Sequence, residues 1–306
     1  MTNRFDGRKA YSVFISMALS IMLQNLGFGT LIFCMPLLLT CQGMQKTSHA
    51  VISFAVVALV LTAITLYRWM NVNLGMCIMG IVFPLMACVG CAVWVGLREF
   101  SDSVLRKLVI CSFATGFIGL CYVIWLMSGK GSVQAQSLLE VFKQILPAEI
   151  LGQAEDTFGE IVFQVMLLMM IPFGMLFSGF QILMSEFIIH RHDEQWQYNF
   201  AYMKMPNYYV WIFVFTWISA LAGNFIDAVP QIVTVIGCNL AVGISLHYFM
   251  GGVSILTSLF RRHSASLTAG RVFFPVFIGC LIPGVNVAVL IGLTVLGVLE
   301  TWIKFR

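Results

Sequence analysis

The chain has 306 residues, of which 60% are hydrophobic and only 10% are charged, and its mean hydropathy is +0.94. Soluble domains carry roughly 25% charged residues because their surfaces face water, so this composition excludes a soluble enzyme, a nucleic-acid binder and a disulfide-stapled secreted module. The net charge of +4 does not indicate a polyanionic partner, since positive residues gather by default in the cytoplasmic loops of membrane proteins.

The chain opens with Arg4, Arg8 and Lys9, followed by an apolar stretch that starts at Tyr11. A secretory signal peptide begins in the same way, but no small-x-small cleavage site follows and the apolar stretch continues to Thr40. The sequence therefore predicts a membrane anchor rather than a cleaved leader.

A membrane-spanning helix needs about 20 predominantly apolar residues. Six stretches meet this requirement clearly, at 48–67, 74–97, 107–128, 160–188, 208–226 and 229–259. Two longer runs, 11–40 and 270–303, are interrupted by polar residues, glycine or proline. Each of these two runs predicts either one long tilted helix or two short helices in a hairpin.

The distribution of Lys and Arg decides between these alternatives. If both runs cross once from a cytoplasmic N-terminus, 8 of the 17 positive residues are cytoplasmic, which is no bias. If both are hairpins, only Arg68, Lys130 and Lys143 are external and the other 14 are cytoplasmic, as the positive-inside preference requires. We therefore predict an all-α polytopic bundle, a single integral membrane domain over 1–306.

The predicted bundle has about eight to ten membrane segments, with broken or hairpin first and last segments and both termini in the cytoplasm. Irregular backbone at membrane depth is tolerated only where it is buried in protein or lines a cavity. The two interrupted runs therefore also indicate an internal cavity.

The longest loop, 129–159, is external in this topology. Residues 138–146 have the apolar spacing of a helix and are followed by Pro147, which predicts a short amphipathic helix on the outer surface. This helix is either an interfacial anchor or a lid over an outward-facing pocket.

Catalytic and metal-binding motifs are missing from the sequence. It contains no H-E-x-x-H, no G-x-S-x-G and no G-x-x-x-x-G-K-[ST] phosphate loop. Cys88 and Cys91 form a lone C-x-x-C within an apolar run, where thiols act as small hydrophobes, and His190 and His192 lie in a charged loop that we interpret as solvated. We expect neither enzymatic activity, nor a metal, nor a cofactor, and active uptake would need an ATPase partner or an ion gradient.

Ser12, Ser16 and Ser20 recur every four residues on the first segment. This small-xxx-small spacing allows two helix backbones to approach closely in lipid. It fits an interface with a partner subunit and internal packing equally.

Polar residues at membrane depth are costly unless they are paired or hydrated, and they tend to mark pathways or binding sites. Asn239 and His247 are eight residues apart and lie roughly on one face of the same helix. Together with Asn224 and Gln231 they are our predicted ligand-binding residues. The alternative is that they form hydrogen bonds between helices.

The C-terminal third carries an ordered set of motifs. The stretch from Phe200 to Trp211 reads F-x-x-M-x-M-P-x-x-Y-x-W. A G-x-N motif that ends at Asn239 and a Y-x-x-x-G motif that ends at Gly252 follow. The closing stretch, from Leu296 to Arg306, reads L-G-V-L-E-T-W-I-K-F-R. This order resembles the YybS-like family of uncharacterised bacterial multi-pass membrane proteins. The chain departs from the family pattern at Glu300, where Asp is usual, and before Gly251, where many members have Gln.

The resemblance implies a location in the bacterial inner membrane. It also implies a distant similarity to the substrate-binding subunits of energy-coupling-factor transporters, which are helical bundles with an outward-facing pocket. In those subunits small residues on the first helix contact a transmembrane coupling subunit that works with ATPases, a part that Ser12, Ser16 and Ser20 would play here. We therefore expect a small-molecule-binding transporter subunit or, alternatively, a membrane scaffold or regulatory protein that acts through helix–helix contacts.

Overall fold

The computed structural model describes residues 7–41, 44, 46–70, 74–99, 103–128, 155–226, 228–264 and 267–306. Within these residues the chain forms eleven α-helices and two short 3-10 helices, and no strand. The prediction of an all-α polytopic bundle is confirmed.

The helices are numbered α1 to α11 in chain order. Their bounds are Gly7–Gln24, Met35–Cys41, Thr47–Trp69, Leu74–Gly96, Val104–Met127, Glu155–Ile189, Glu194–Ala201, Tyr209–Phe225, Gln231–His263, Ala269–Leu281 and Val285–Leu299.

Among the described residues, five helices are long and apolar enough to cross a membrane, namely α3, α5, α9 and the parts of α4 and α6 over Cys77–Gly96 and Leu167–Ile189. They coincide with five of the six predicted spans. The sixth, 208–226, is also helical, but α8 has 17 residues and rises only about 26 Å, which is slightly less than the bilayer core of about 30 Å.

The predicted external helix falls outside the described residues, because 129–154 are not described. The last residues of the predicted loop belong to α6, which begins at Glu155.

Polar residues cap the N-termini of two helices. The Ser103 side chain accepts a hydrogen bond from the Arg106 backbone N–H at α5, and the Asp193 side chain accepts one from the Trp196 backbone N–H at α7.

The first interrupted run folds back on itself. α1 ends at Gln24, and α2 returns beside it, so that the hydroxyl oxygens of Ser16 and Thr40 lie 2.5 Å apart. α2 has seven residues and rises about 10 Å, so it fills only part of the bilayer thickness. The intervening turn brings Gly29 so close to the Leu23 carbonyl that a Cβ would collide with it.

The last interrupted run is a helical hairpin. α10 has 13 residues and α11 has 15, so they rise about 20 and 22 Å, less than a full crossing. Gly284 joins them with φ +84°, a left-handed conformation that glycine adopts without steric cost. The prediction of broken or hairpin first and last segments is confirmed.

Helices α9 and α11 cross in very close contact. A Cβ at Gly252 would collide with the backbone of Leu293, and a Cβ at Gly297 would collide with the carbonyl oxygen of Tyr248. The small-residue pattern in these segments therefore serves packing between two helices of this chain.

The alternating helices place the positive residues very unevenly. Of the 17 Lys and Arg residues, Arg4, Lys130 and Lys143 are not described, which leaves fourteen. Because successive helices reverse direction, thirteen of these fourteen residues lie at one end of the bundle, which we call the basic end. The remaining one, Arg68, lies at the opposite end and donates from Nη1 to the Asn25 side-chain oxygen at 2.8 Å.

Arg306 ties three segments together at the basic end. Its Nε donates to the Glu300 carboxylate at 2.5 Å and its Nη1 to the Ser254 hydroxyl at 2.5 Å, and its guanidinium also donates to the carbonyl oxygens of Ala201 and Met203. The closing motif and the 200–211 motif thus meet against α9, although they are about a hundred residues apart in sequence.

Candidate functional site

A cavity of about 270 Å³ lies between α5, α6, α9, α10 and α11. His247, on its wall, is the middle residue of α9 (Gln231–His263), so the cavity lies near half depth in the bundle. One wall is the α10–α11 hairpin. The lining residues are Leu108, Ser112, Met175, Leu176, Gly179, Phe180, Leu183, Gly243, Leu246, His247, Phe249, Met250, Phe273, Phe277, Cys280, Leu281 and Leu290.

The walls are mostly apolar and partly aromatic. Phe180 of α6 and Phe277 of α10 stack with ring centroids 4.4 Å apart, and Phe273 stacks on Phe277 at 6.3 Å. Gly179 has no heavy atom within 4 Å of where a Cβ would stand, because it faces the open space. None of the lining residues in the described part of the chain is Asp, Glu, Lys or Arg, so these residues offer no counter-charge to a charged solute.

The polar part of the wall is a chain of three side chains. His247 is 7% exposed, and its Nδ1 lies 2.8 Å from the Tyr209 hydroxyl while its Nε2 lies 2.9 Å from the Ser112 hydroxyl. A neutral imidazole has one N–H that donates and one nitrogen that accepts, so either tautomer is satisfied by the two hydroxyls. Ser112 keeps further hydrogen-bonding capacity at the cavity.

Asn239 lies outside the cavity lining, although it shares a helix with His247. It is fully buried, its Oδ1 accepts the Ile171 N–H at 3.0 Å, and its Nδ2 donates to the carbonyl oxygens of Leu167 at 2.8 Å and Val235 at 2.9 Å. The amide therefore bonds to both sides of a turn of α6 next to Pro172, where the missing proline N–H interrupts the helix. Its bonds to Ile171 and Leu167 join α9 to α6.

Of the other two predicted ligand-binding residues, Gln231 is not brought to the cavity lining. Gln231 is exposed at the first position of α9, far along the helix from His247. Asn224 belongs to α8, and its side chain lies outside the described residues. Of the three predicted residues whose side chains are described, the structure places His247 alone in the cavity lining, and whether any of the four binds a ligand stays a prediction.

The serine stripe of α1 is largely covered by the chain itself. Ser16 and Ser20 are buried, and Ser16 shares its hydroxyl contact with Thr40 of α2. Ser12 is exposed. Internal packing accounts for the two buried serines, whereas Ser12 remains available to another chain, and its predicted role at a partner interface stays a prediction.

Sequence reasoning missed two polar residues at membrane depth. Ser112 faces the cavity, and Gln181 is fully buried, where its Oε1 accepts the Cys34 N–H at 2.6 Å. Gln181 could have been identified from the sequence, because an amide in an apolar span needs a partner. Ser112 could hardly have been identified, because a serine in a helix can donate to its own backbone.

Metal-ligand groups do not gather among the described residues: no three His, Cys, Asp or Glu side chains are arranged to hold a metal ion. Cys88 and Cys91 are buried free thiols. They pack in the main apolar core.

A second polar cluster lies at the basic end, where α6 ends. Glu186 is buried and accepts a hydrogen bond from the Trp94 indole N–H at 2.8 Å. His190, just beyond α6, lies 3.4 Å from the Glu186 carboxylate and 3.0 Å from Asp193. The hydrogen bond to Glu186, helped by Asp193, raises the pKa of His190 despite its partial burial. The bond from the Trp196 N–H and the contact with His190 lower the pKa of Asp193.

Comparison with family models, with curated proteins and with solved structures finds no match to this chain.

Proposed function

We propose that this membrane protein binds a small, uncharged and largely apolar molecule, and that it is the substrate-capture component of a transport system in the bacterial inner membrane. The observation that carries the proposal is the cavity of about 270 Å³. Small-molecule sites are typically concave and apolar with a few placed polar groups, which is the character of this cavity.

The cavity sets the size of the ligand. An apolar cavity of about 150 Å³ holds benzene, so a cavity of about 270 Å³ suits a molecule of roughly two fused rings. The stacked Phe180 and Phe277 rings favour a flat ligand, because aromatic faces stack in offset geometry.

The cavity also sets the polarity of the ligand. A charged group would find no counter-charge among the described lining residues, and its entry would cost several kcal/mol. Ser112 provides one hydrogen-bonding hydroxyl, held in place by His247 at 2.9 Å. We therefore propose a neutral ligand with one polar group directed at Ser112.

Transport in this proposal needs an external source of energy, because the sequence contains no phosphate-binding loop. The resemblance to substrate-capture components favours a transmembrane coupling subunit with ATPases over an ion gradient. The exposed Ser12 marks the face of α1 where we propose that this subunit binds.

The test is mass spectrometry of small molecules released from protein purified gently from its native membrane. Gly179→Leu fills the cavity, whereas Gly292→Leu adds the same bulk to α11 outside it; neither Cβ meets a heavy atom within 4 Å. The proposal predicts a stoichiometric neutral metabolite in wild type and Gly292→Leu, and its loss in Gly179→Leu.

Ser112→Ala should lower the occupancy without abolishing it. Lipid alone in wild type, or a metabolite retained equally by Gly179→Leu, would overturn the proposal. That result would favour the scaffold or regulatory function, which partner pull-down then tests.

A further inference from the structure

A second, larger concavity of about 730 Å³ lies on the other side of the α10–α11 hairpin, against the last part of α9. Twelve of the thirteen described residues that line it are apolar, and they include Phe260, Val276, Val289 and Gly292. Several of them are exposed, so the groove opens on the outer surface of the bundle. In a membrane this surface faces lipid.

Among the described residues, Arg271 is the one charged residue that lines the groove. Its side chain is exposed, and among the described residues no carboxylate or carbonyl group is its partner. An arginine beside apolar surface at the membrane boundary needs an anionic or hydrated partner. The positive charge of Arg271 is complementary to the negative charge of a phosphate, which a guanidinium group binds with paired hydrogen bonds.

The length of the groove matches half a bilayer. Along α10 it runs from Arg271 to Gly279, eight residues that rise about 12 Å. One leaflet of the hydrocarbon core is about 15 Å thick. An acyl chain that follows the groove from its basic end toward the hairpin turn therefore keeps its headgroup level with Arg271.

Small residues give the acyl chain its room. Gly279, Ala288 and Gly292 line the groove, and the space above Gly292 contains no heavy atom within 4 Å of a Cβ position. Arg261 and Arg262 at the end of α9 add positive charge at the same end. Basic pockets between membrane helices are typical sites for anionic lipid headgroups.

We propose that the groove formed by α9, α10 and α11 binds one anionic phospholipid, with its phosphate on Arg271 and an acyl chain along Gly279, Ala288 and Gly292. This site is separate from the cavity that contains His247, since the two share none of the lining residues that the structure describes. The lipid covers the outer face of the hairpin whose inner face forms a wall of the cavity.

The test is native mass spectrometry of the full chain released from nanodiscs made of equal parts phosphatidylglycerol and phosphatidylcholine. Wild type should retain phosphatidylglycerol in preference to phosphatidylcholine. Arg271→Gln should reduce this preference about fivefold, the effect of one cation at an anionic membrane surface, whereas Arg271→Lys should keep most of it. Arg191→Gln removes an exposed arginine away from the groove and should leave the preference unchanged.

Gly292→Leu should reduce the total retained lipid of both headgroups, because it fills the acyl part of the site. Equal retention of the two lipids by wild type, or an unchanged preference in folded, monodisperse Arg271→Gln, would overturn the proposal. Gly179→Leu separates this proposal from the proposed function: it should remove the cavity ligand and leave lipid retention as in wild type.

Discussion

The side-chain oxygen of Asn239 lies 3.0 Å from the backbone nitrogen of Ile171, one residue before Pro172. A proline within a helix removes one backbone donor and crowds the preceding turn. The Asn239 amide bonds to both the Ile171 N–H and the Leu167 carbonyl, so a residue of α9 bonds directly to the backbone of α6 in the turn that precedes Pro172. This contact joins two of the five long helices.

Asn239→Leu should therefore destabilise the protein. The substitution leaves the buried Ile171 N–H and Leu167 carbonyl without this partner, which should cost about 1–3 kcal/mol. Thermal unfolding in detergent measures the loss, and Asn199→Leu, at an exposed position of α7, is the control and should change little. Unfolding of Asn239→Leu at the wild-type temperature would show that these bonds do not contribute to stability.

Gly297→Ala should destabilise the contact between α9 and α11. The new methyl group would collide with the Tyr248 carbonyl oxygen, and forcing the helices apart should cost about 1–3 kcal/mol. Gly292→Ala is the matched control on the same helix, because its Cβ enters open space and alanine favours helix. The two variants should therefore shift the unfolding temperature in opposite directions, and equal shifts would contradict the close crossing.

The apolar helices and their reversals could be predicted from the sequence, and for a simple physical reason. Hydropathy over a span depends only on local residues, and the 14-to-3 distribution of Lys and Arg depends only on loop positions. The pairing of helices is different. Contacts such as that between His247 and Ser112, which are 135 residues apart, depend on which helices pack together, and hydropathy contains almost no information about that.

The candidate site was correspondingly only half predictable. An unpaired imidazole at membrane depth is costly, so the sequence predicts that His247 has a polar partner or lines a site. A serine carries no comparable cost, so Ser112 becomes visible only when α5 packs beside α9. Asn239 satisfied the same cost argument as His247, yet its partners are backbone groups of α6.

Removing the negative partner of Arg306 should be strongly destabilising. The two side chains form a buried ion pair with side-chain exposures of 5% and 7%, and Glu300→Gln leaves the guanidinium without a counter-charge. Breaking a buried pair on one side costs about 3–5 kcal/mol, whereas Glu194→Gln at an exposed position should cost little. Replacing both partners by Met should recover part of the loss, which a double-mutant cycle measures by thermal unfolding.

The contact between His190 and Glu186 should make stability depend on pH. Because the pKa of His190 is raised in the folded protein, its contribution is fully present below the unfolded value near 6.5 and is lost as pH rises through the folded pKa. The unfolding temperature of wild type should therefore fall more between pH 6 and pH 8.5 than that of His190→Gln, by a small amount because His190 is partly exposed. Parallel pH profiles would contradict this role.

Labelling of single cysteines should locate the α10–α11 reversal relative to the membrane. In a cysteine-free background, Arg262→Cys and Lys304→Cys flank the α10–α11 hairpin at exposed positions, and Tyr67→Cys lies at the opposite end of the bundle. Because positive residues prefer the cytoplasm, an impermeant thiol reagent added to intact cells should label Tyr67→Cys alone. After lysis all three should react. If one continuous helix replaced the hairpin, Arg262→Cys and Lys304→Cys would lie on opposite sides of the membrane. Labelling of exactly one of the two in intact cells would therefore exclude the α10–α11 hairpin that forms a wall of the cavity.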